Sequence, residues 1–238
     1  MMPEHTAKAF DIDLQELTRM VAEMGGLAEK QIADSVDALA RRDAAFAGQV
    51  IAVDAAIDAL QSEIEEKSVL TIARRQPMAV DLREIVGALR VANDLERIGD
   101  LAKNIAKRVA ELTGEFHPQK LIRGVEHMST LVLEQLKQVL DAYAGHDLDR
   151  ALAVWKGDEE IDAMCTSLFR ELLTYMMEDP RNITFCIHLM FCAKNIERMG
   201  DHATNIAETI YYMIEGRAIA DQRPKGDTTV FAAVETGH

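Results

Sequence analysis

The sequence predicts an all-α protein built as two tandem, pseudo-symmetric three-helix bundles with six long helices. Three observations predict it. Ala, Leu, Ile, Met, Glu and Arg abound, while aromatic residues make up 5% of the 238 residues, a mix that favours helix over strand. Apolar residues recur at steps of three and four along most of the chain, the period of an amphipathic helix. One stretch also occurs twice. Ala92 to Ala106 reads ANDLERIGDLAKNIA and Ala193 to Ala207 reads AKNIERMGDHATNIA, with nine of fifteen positions identical. An internal repeat of this kind decides the architecture before any single element does.

The elements follow in order. Residues 1–10 are read as a lead-in. From Asp11, the residues Leu14, Leu17, Val21, Met24, Leu27, Ala28, Ile32, Val36 and Leu39 form one apolar stripe, with Gly25-Gly26 as a point of weakness or bending. Asp43 is a suitable N-cap for a second helix carrying Val50, Ile51, Ile57, Leu60, Ile64 and Leu70. Pro77 stands where that pattern stops and suits the first turn of a third helix, which runs through the first copy of the repeat to about Leu112. Thr113-Gly114 and His117-Pro118 break the chain. The second half follows the same plan. A helix spans Leu121 to Tyr143 and stops at Gly145. Asp147 caps the next, which continues to about Met177, and Asp179-Pro180 ends it. The sixth carries Ile183, Ile187, Met190 and the second copy, and Gly216 ends it. The domains are therefore expected at 11–113 and 118–217, with a mobile tail over 218–238 that lacks any apolar period.

Composition excludes several function classes. Lys and Arg number 26 against 40 Asp and Glu, a net charge of -14. Such a chain offers no basic face for nucleic acid and no cationic patch for an anionic membrane. The longest apolar run, Ile183 to Ala193, is shorter than the roughly 18 residues a membrane span requires, so no membrane insertion is expected. Nothing at the start reads as a signal peptide. Cys165, Cys186 and Cys192 form no Cys-x-x-Cys pair and read as reduced, partly buried thiols of a cytoplasmic protein.

The chemistry of the repeat lies in its carboxylates. Glu96 and Asp100 in the first copy, and Glu197 and Asp201 in the second, are four residues apart. Each pair therefore shares one helical face, with Asn104 and Asn205 one turn further on. The middle helices carry a second set, Asp54 and Asp58, then Asp158 and Asp162, in the matched strings Asp54-x-x-Ile57-Asp58 and Asp158-x-x-Ile161-Asp162. Two carboxylates so spaced repel by a few tenths of a kcal/mol. A hard cation would offset four such pairs, since all-oxygen sites suit Mg, Mn, Ca or iron and tolerate zinc. Solvation together with Arg97, Lys103 and Arg198 would offset them equally. Glu96 continues the apolar line of Leu82, Ile85, Leu89 and Ala92, which places these acids at the edge of a packed seam. Gly99 and Gly200, mid-helix at about 1 kcal/mol each relative to Ala, read as packing glycines. Di-iron bundles use Glu-x-x-His pairs on two helices, and the whole chain is read as lacking that spacing. His202 follows Asp201 and points to another side of its helix. His188 reads as a satisfied core or seam residue, and His127 and His146 lack an acidic partner set. No phosphate loop, nucleophile elbow or His-Glu-x-x-His occurs, so no enzyme is expected.

These residues carry a resemblance. Leu95-Glu96-Arg97-Ile98-Gly99-Asp100 with Asn104-Ile105-Ala106, and the second copy preceded by Tyr175 to Ile183, resemble the doubled signature of the PhoU family. Ala73 to Pro77 and Asp81-Leu82-Arg83 match its first half. The resemblance covers about residues 10–217. It implies tandem three-helix bundles and a cytoplasmic negative regulator of the phosphate starvation response. Such a regulator links the ATPase subunit of the phosphate ABC transporter to a sensor histidine kinase, often as a homodimer. It further implies metal ions (iron, zinc, manganese or magnesium) at acidic motifs that match Asp54, Asp58, Glu96, Asp100, Asp158, Asp162, Glu197 and Asp201. Asp94 is a weaker candidate because Asn195 takes its place in the second half. The other reading open to these residues is a metal store or oxidase.

Overall fold

A computed structural model of the chain describes residues 4–112 and 119–220. The described residues form seven α-helices and one short 3-10 turn, with no strand among them: α1 (Glu4–Arg41), α2 (Ala44–Arg75), α3 (Val80–Glu111), α4 (Gln119–Gly145), α5 (Leu148–Lys156), α6 (Asp158–Glu178), the turn Pro180–Asn182, and α7 (Ile183–Glu215). Helices α1, α2 and α3 pack on one another as the first bundle. Helices α4, α5–α6 and α7 form the second. This is the all-α, two-bundle architecture that the repeat predicts.

The two halves reuse the same local devices. Asp43 accepts from Phe46 N at 2.9 Å and caps α2. Asp147 accepts from Arg150 N at 3.0 Å and caps α5. Each replaces a hydrogen bond that the first helical turn cannot make for itself. The residue before each cap, Arg42 and His146, turns the chain with a positive φ of 56° and 50°.

Four details differ from the sequence reading. Helix α1 begins at Glu4 and is continuous through Gly25 and Gly26. The single helix expected from Asp147 to Met177 is two, parted at Gly157, whose N–H bonds the carbonyls of both Ala153 and Val154. Pro77 lies outside α3, in a link where Gln76 (φ 49°) and Ala79 (φ 48°) both turn left-handed. One helix, α2, is long and apolar enough by length and composition to cross a membrane. In α2, Val50, Ile57 and Ile64 are buried in the bundle, while Ala45, Ala52, Ala55, Ala56 and Ala59 are exposed. The tail from residue 221 onward, and the break at 113–118, fall outside the described residues.

A continuous apolar core joins the bundles, running from Leu17, Met24 and Ile32 through Leu95, Ile98 and Ile105 to Leu189, Ile196 and Ile206. The halves meet along α3 against α7 and α1 against α4. Glycines allow the close approach. A Cβ at Gly87 would lie 2.2 Å from Met213 Sδ, and one at Gly25 would lie 2.7 Å from Leu140 Cδ1. At the rim of this interface Arg83 Nε donates to the Met213 carbonyl at 3.2 Å, and Arg108 stacks 4.1 Å above the ring of Phe191. Within the first bundle Asp13 of α1 takes Arg75 at 3.0 Å and Lys67 at 3.5 Å.

Candidate functional site

The apolar stripes of α2 and α3 face each other, so the acids that flank them meet at the seam between the two helices. Asp54 is buried, Glu96 and Asp100 are half-buried and Asp58 is exposed. The seam already holds cations. Lys103 Nζ donates to Asp54 Oδ2 across the seam and to Asp100 Oδ1 at 2.7 Å on its own helix. Arg97 Nε stands 3.3 Å from Glu96 Oε2 and its Nη1 3.7 Å from Asp100 Oδ2. The Arg97–Glu96 contact is an ion pair by distance only, because Glu96 Oε2 has no hydrogen bond of acceptable geometry. Burial pushes the Glu96 carboxyl above the ordinary carboxylate range. Arg97 opposes this, while Asp100, Asp58 and Asp54 add to it. Lys103 is held well above the ordinary lysine value, chiefly by its hydrogen bonds to Asp100 and Asp54.

The second seam lies between α6 and α7. Asp162 is 4% exposed and Glu197 5%. Asp201 is half-buried, and the side chain of Asp158 lies outside the described residues. Glu197 Oε1 accepts from Lys194 Nζ at 2.8 Å. Its other oxygen, Oε2, is buried and has no hydrogen-bond partner. Burial is the main cause that pushes the Glu197 carboxyl up. Lys194 opposes it, and Asp201 and Asp162 reinforce it. A desolvated carboxylate of this kind either takes a counter-charge or binds a proton.

Of the predicted ligands whose side chains are described, Asp54, Asp58, Glu96 and Asp100 thus flank one seam and Asp162, Glu197 and Asp201 the other, rather than one common centre. Among the described residues, no three His, Cys, Asp or Glu side chains are drawn together tightly enough to grip an ion. The donor chemistry is all carboxylate, which suits a hard cation. The orphaned Glu197 oxygen fits one, whereas the ammonium of Lys103 sits where an ion of the first seam would bridge two helices.

A third polar cluster escaped the sequence reading. Asp94 of α3 meets His202 Nδ1 of α7 at 2.8 Å and Asn205 Nδ2 at 3.4 Å, so it ties the halves together. His202 does point away from the acidic seam, toward the other half of the molecule. The signal for this was the repeat itself: at its offset of 101, Asp94 faces Asn195 and His202 faces Leu101, so the copies differ where they touch. Other histidines need correction. His188 is half-buried with Nδ1 unbonded, so it is not satisfied, and burial lowers its pKa. His146 does have an acid, Glu84, at 3.0 Å. Contrary to the reading of none, a Glu-x-x-His spacing does occur once, at Glu235 and His238 in the tail, outside the described residues. Cys165, Cys186 and Cys192 form no disulfide and are buried more deeply than the partly buried thiols expected.

Comparison with known proteins extends these observations over the whole chain. The family model described as the PhoU domain matches twice, at residues 21–109 and 125–210, one match in each bundle. The chain is 59% identical over 229 residues to the phosphate-specific transport system accessory protein PhoU homolog of Rhizobium meliloti (strain 1021), covering 96% of this chain and 97% of that one. It is 54% identical to the homolog of the same description in Caulobacter vibrioides (strain NA1000 / CB15N), over 95% and 98%. The crystal structure of PhoU from Pseudomonas aeruginosa superposes with a TM-score of 0.81 at 38% identity, covering 87% of this chain and all of that one. That of the phosphate transport system regulatory protein PhoU from Streptococcus pneumoniae gives 0.82 at 29%, covering 89% and 100%. With both bundles matched and relatives aligned nearly end to end, the chain belongs to the PhoU family.

Proposed function

We propose that the chain is an accessory protein of a phosphate-specific transport system and a negative regulator of the phosphate starvation response. It acts in the cytoplasm as an adaptor, without catalysis, between the ATPase subunit of the phosphate transporter and a sensor histidine kinase. One observation carries the reading: the likeness to proteins described as phosphate transport accessory proteins runs through both bundles and both acidic seams. The fold supports the adaptor role, because long antiparallel helices with a net charge of -14 present rigid acidic surfaces. Complementary charge on a partner steers association and adds specificity more than affinity. A homodimer would double each such surface.

Co-purification tests the adaptor. The full-length chain, tagged and expressed from its own locus in phosphate-replete cells, is expected to bring down the transporter ATPase subunit and the sensor kinase. A clean pull-down lacking both, from cells that express both, contradicts the reading. The second reading, a metal-binding protein, is favoured by one observation, the buried and unpartnered Glu197 Oε2. It is compatible with the first, since an ion in a seam would fix the packing of α6 on α7. Iron, zinc, manganese and magnesium all accept such oxygen donors, with zinc the least suited.

A further inference from the structure

The two halves carry one glutamine in matching places with unlike surroundings. At an offset of 104, which also relates the caps Asp43 and Asp147, Gln31 of α1 corresponds to Gln135 of α4, and Val50 of α2 to Val154 of α5. Gln31 is 1% exposed, and its Nε2 donates to the Val50 carbonyl at 3.3 Å, which ties α1 to α2. Gln135 is 8% exposed and makes no such bond. The helix breaks one turn after Val154, at Gly157, whose N–H takes the carbonyls of both Ala153 and Val154 at 3.1 Å. Gln31 lacks a partner at Oε1 alone, whereas Oε1 and Nε2 of Gln135 are both buried without one. Such an amide carries a desolvation cost that nothing in the chain offsets.

Gln135 lines a cleft of about 160 Å³ between α4 and the corner where α5 meets α6. Buried Val154 and Ile161 and half-buried Leu131 form its apolar wall, and Glu134 and Glu160 stand exposed at its rim. Neither acid is paired among the described residues. Lys137, one turn from Glu134, acts on Glu29 of α1, and Lys156 is exposed and pairs with neither rim acid. A cavity of about 150 Å³ holds one benzene ring, so this cleft takes one side chain and is too small for a nucleotide. Its two rim carboxylates repel an anion and attract a cation. Its apolar wall suits the hydrocarbon stem of a long basic side chain, and Gln135 Oε1 is an acceptor in need of a donor.

We propose that the cleft beside Gly157 is a socket for one arginine side chain of a partner polypeptide. The guanidinium donates to Glu134, Glu160 and Gln135 Oε1, the stem lies on Leu131, Val154 and Ile161, and water entering with it serves Nε2. Arginine fits better than lysine because its planar head carries five donors, enough for two carboxylates and an amide oxygen at once, and gives up its hydration more readily. The site exists in the second half alone, since in the first half Val50 has already taken the glutamine. The proposal stands on this cleft and not on the regulatory reading above, so either can fail without the other.

The test titrates the full-length ¹⁵N-labelled chain with N-acetyl-L-arginine amide, an arginine residue blocked at both ends as it is within a polypeptide. The side-chain NH₂ signals of Gln135, assigned by their loss in Gln135→Leu, and the main-chain signal of Gly157 are expected to shift saturably. A dissociation constant on the order of 1 mM suits a ligand of this size. Read at Gly157, Gln135→Leu should weaken binding about tenfold or more, as for a buried hydrogen bond to a charged group. Glu160→Gln should weaken it about two- to fivefold, the range of an exposed ion pair. N-acetyl-L-citrulline amide, which has the shape of arginine without its charge, should bind about tenfold more weakly. Free L-arginine, whose own carboxylate meets the rim acids, should also bind more weakly than the blocked form. The absence of a saturable shift, citrulline binding as well as arginine, or a folded Gln135→Leu that binds like wild type would each overturn the proposal. Free L-arginine binding more tightly than the blocked form would overturn the assignment to a polypeptide. If Gln135→Leu does not fold, unchanged binding in Glu160→Gln overturns it instead.

Discussion

Glu197 is the residue at which burial and charge conflict most openly. Its carboxyl is desolvated, two further acids act on it, and one oxygen has no partner. Its folded-state pKa is raised, so its contribution to stability is full below the unfolded value of about 4.3 and is lost as pH rises through the folded value. In metal-free protein, Glu197→Gln should therefore gain on wild type as pH increases. Thermal melts in chelator are expected to show the difference in midpoint, variant minus wild type, growing from pH 4.5 to pH 7.5. A difference that does not change with pH would show that Glu197 is not held in this way. How much of this was legible in the sequence follows from distance along the chain. The four-residue spacing of Glu96 with Asp100 and of Glu197 with Asp201 is local, so the ladders are readable directly. Asp100 and Lys103 are one turn apart, and that pair is readable too. The bond from Lys103 to Asp54 is not, because 49 residues separate them and only the packing of α2 on α3 brings them together. The same holds for Asp94 and His202, at a separation of 108.

At the scale of elements, helix existence and capping were readable, and interruptions were not. Asp43 and Asp147 cap as expected because a cap needs only a short polar side chain before an apolar period. The break at Gly157 is invisible in the pattern, since Val154, Trp155 and Ile161 keep the apolar spacing across it, and one glycine costs only about 1 kcal/mol in a helix. Nor does the pattern tell a glycine that weakens a helix from one that lets two helices approach. Gly26 and Gly87 separate these roles. A Cβ at Gly26 meets nothing within 4 Å, whereas one at Gly87 would enter Met213, 2.2 Å from Sδ and 2.6 Å from Cγ. Gly26→Ala should stabilise the chain by about 0.5–1 kcal/mol through reduced backbone freedom. Gly87→Ala gains the same term, but overpacking costs about 1–3 kcal/mol, so the net effect should be destabilising. Urea unfolding midpoints check the pair. A midpoint for Gly87→Ala at or above wild type would mean that α3 and α7 are not in close contact there.

At the scale of the whole molecule, the repeat specifies two bundles and the breaks in the repeat specify how they join. The identical positions of the two copies build the seams inside each half. The differing positions, Asp94 against Asn195 and Leu101 against His202, supply the polar contact between halves. The function proposed above is regulatory: the chain would hold the starvation programme off while phosphate is plentiful. The most direct measurement is a starvation-responsive reporter in phosphate-rich medium, in cells lacking this chain and in cells lacking both the chain and the sensor kinase. The account expects high reporter expression in the single deletion and a silent reporter in the double deletion. A single deletion whose reporter stays silent at high phosphate would contradict it.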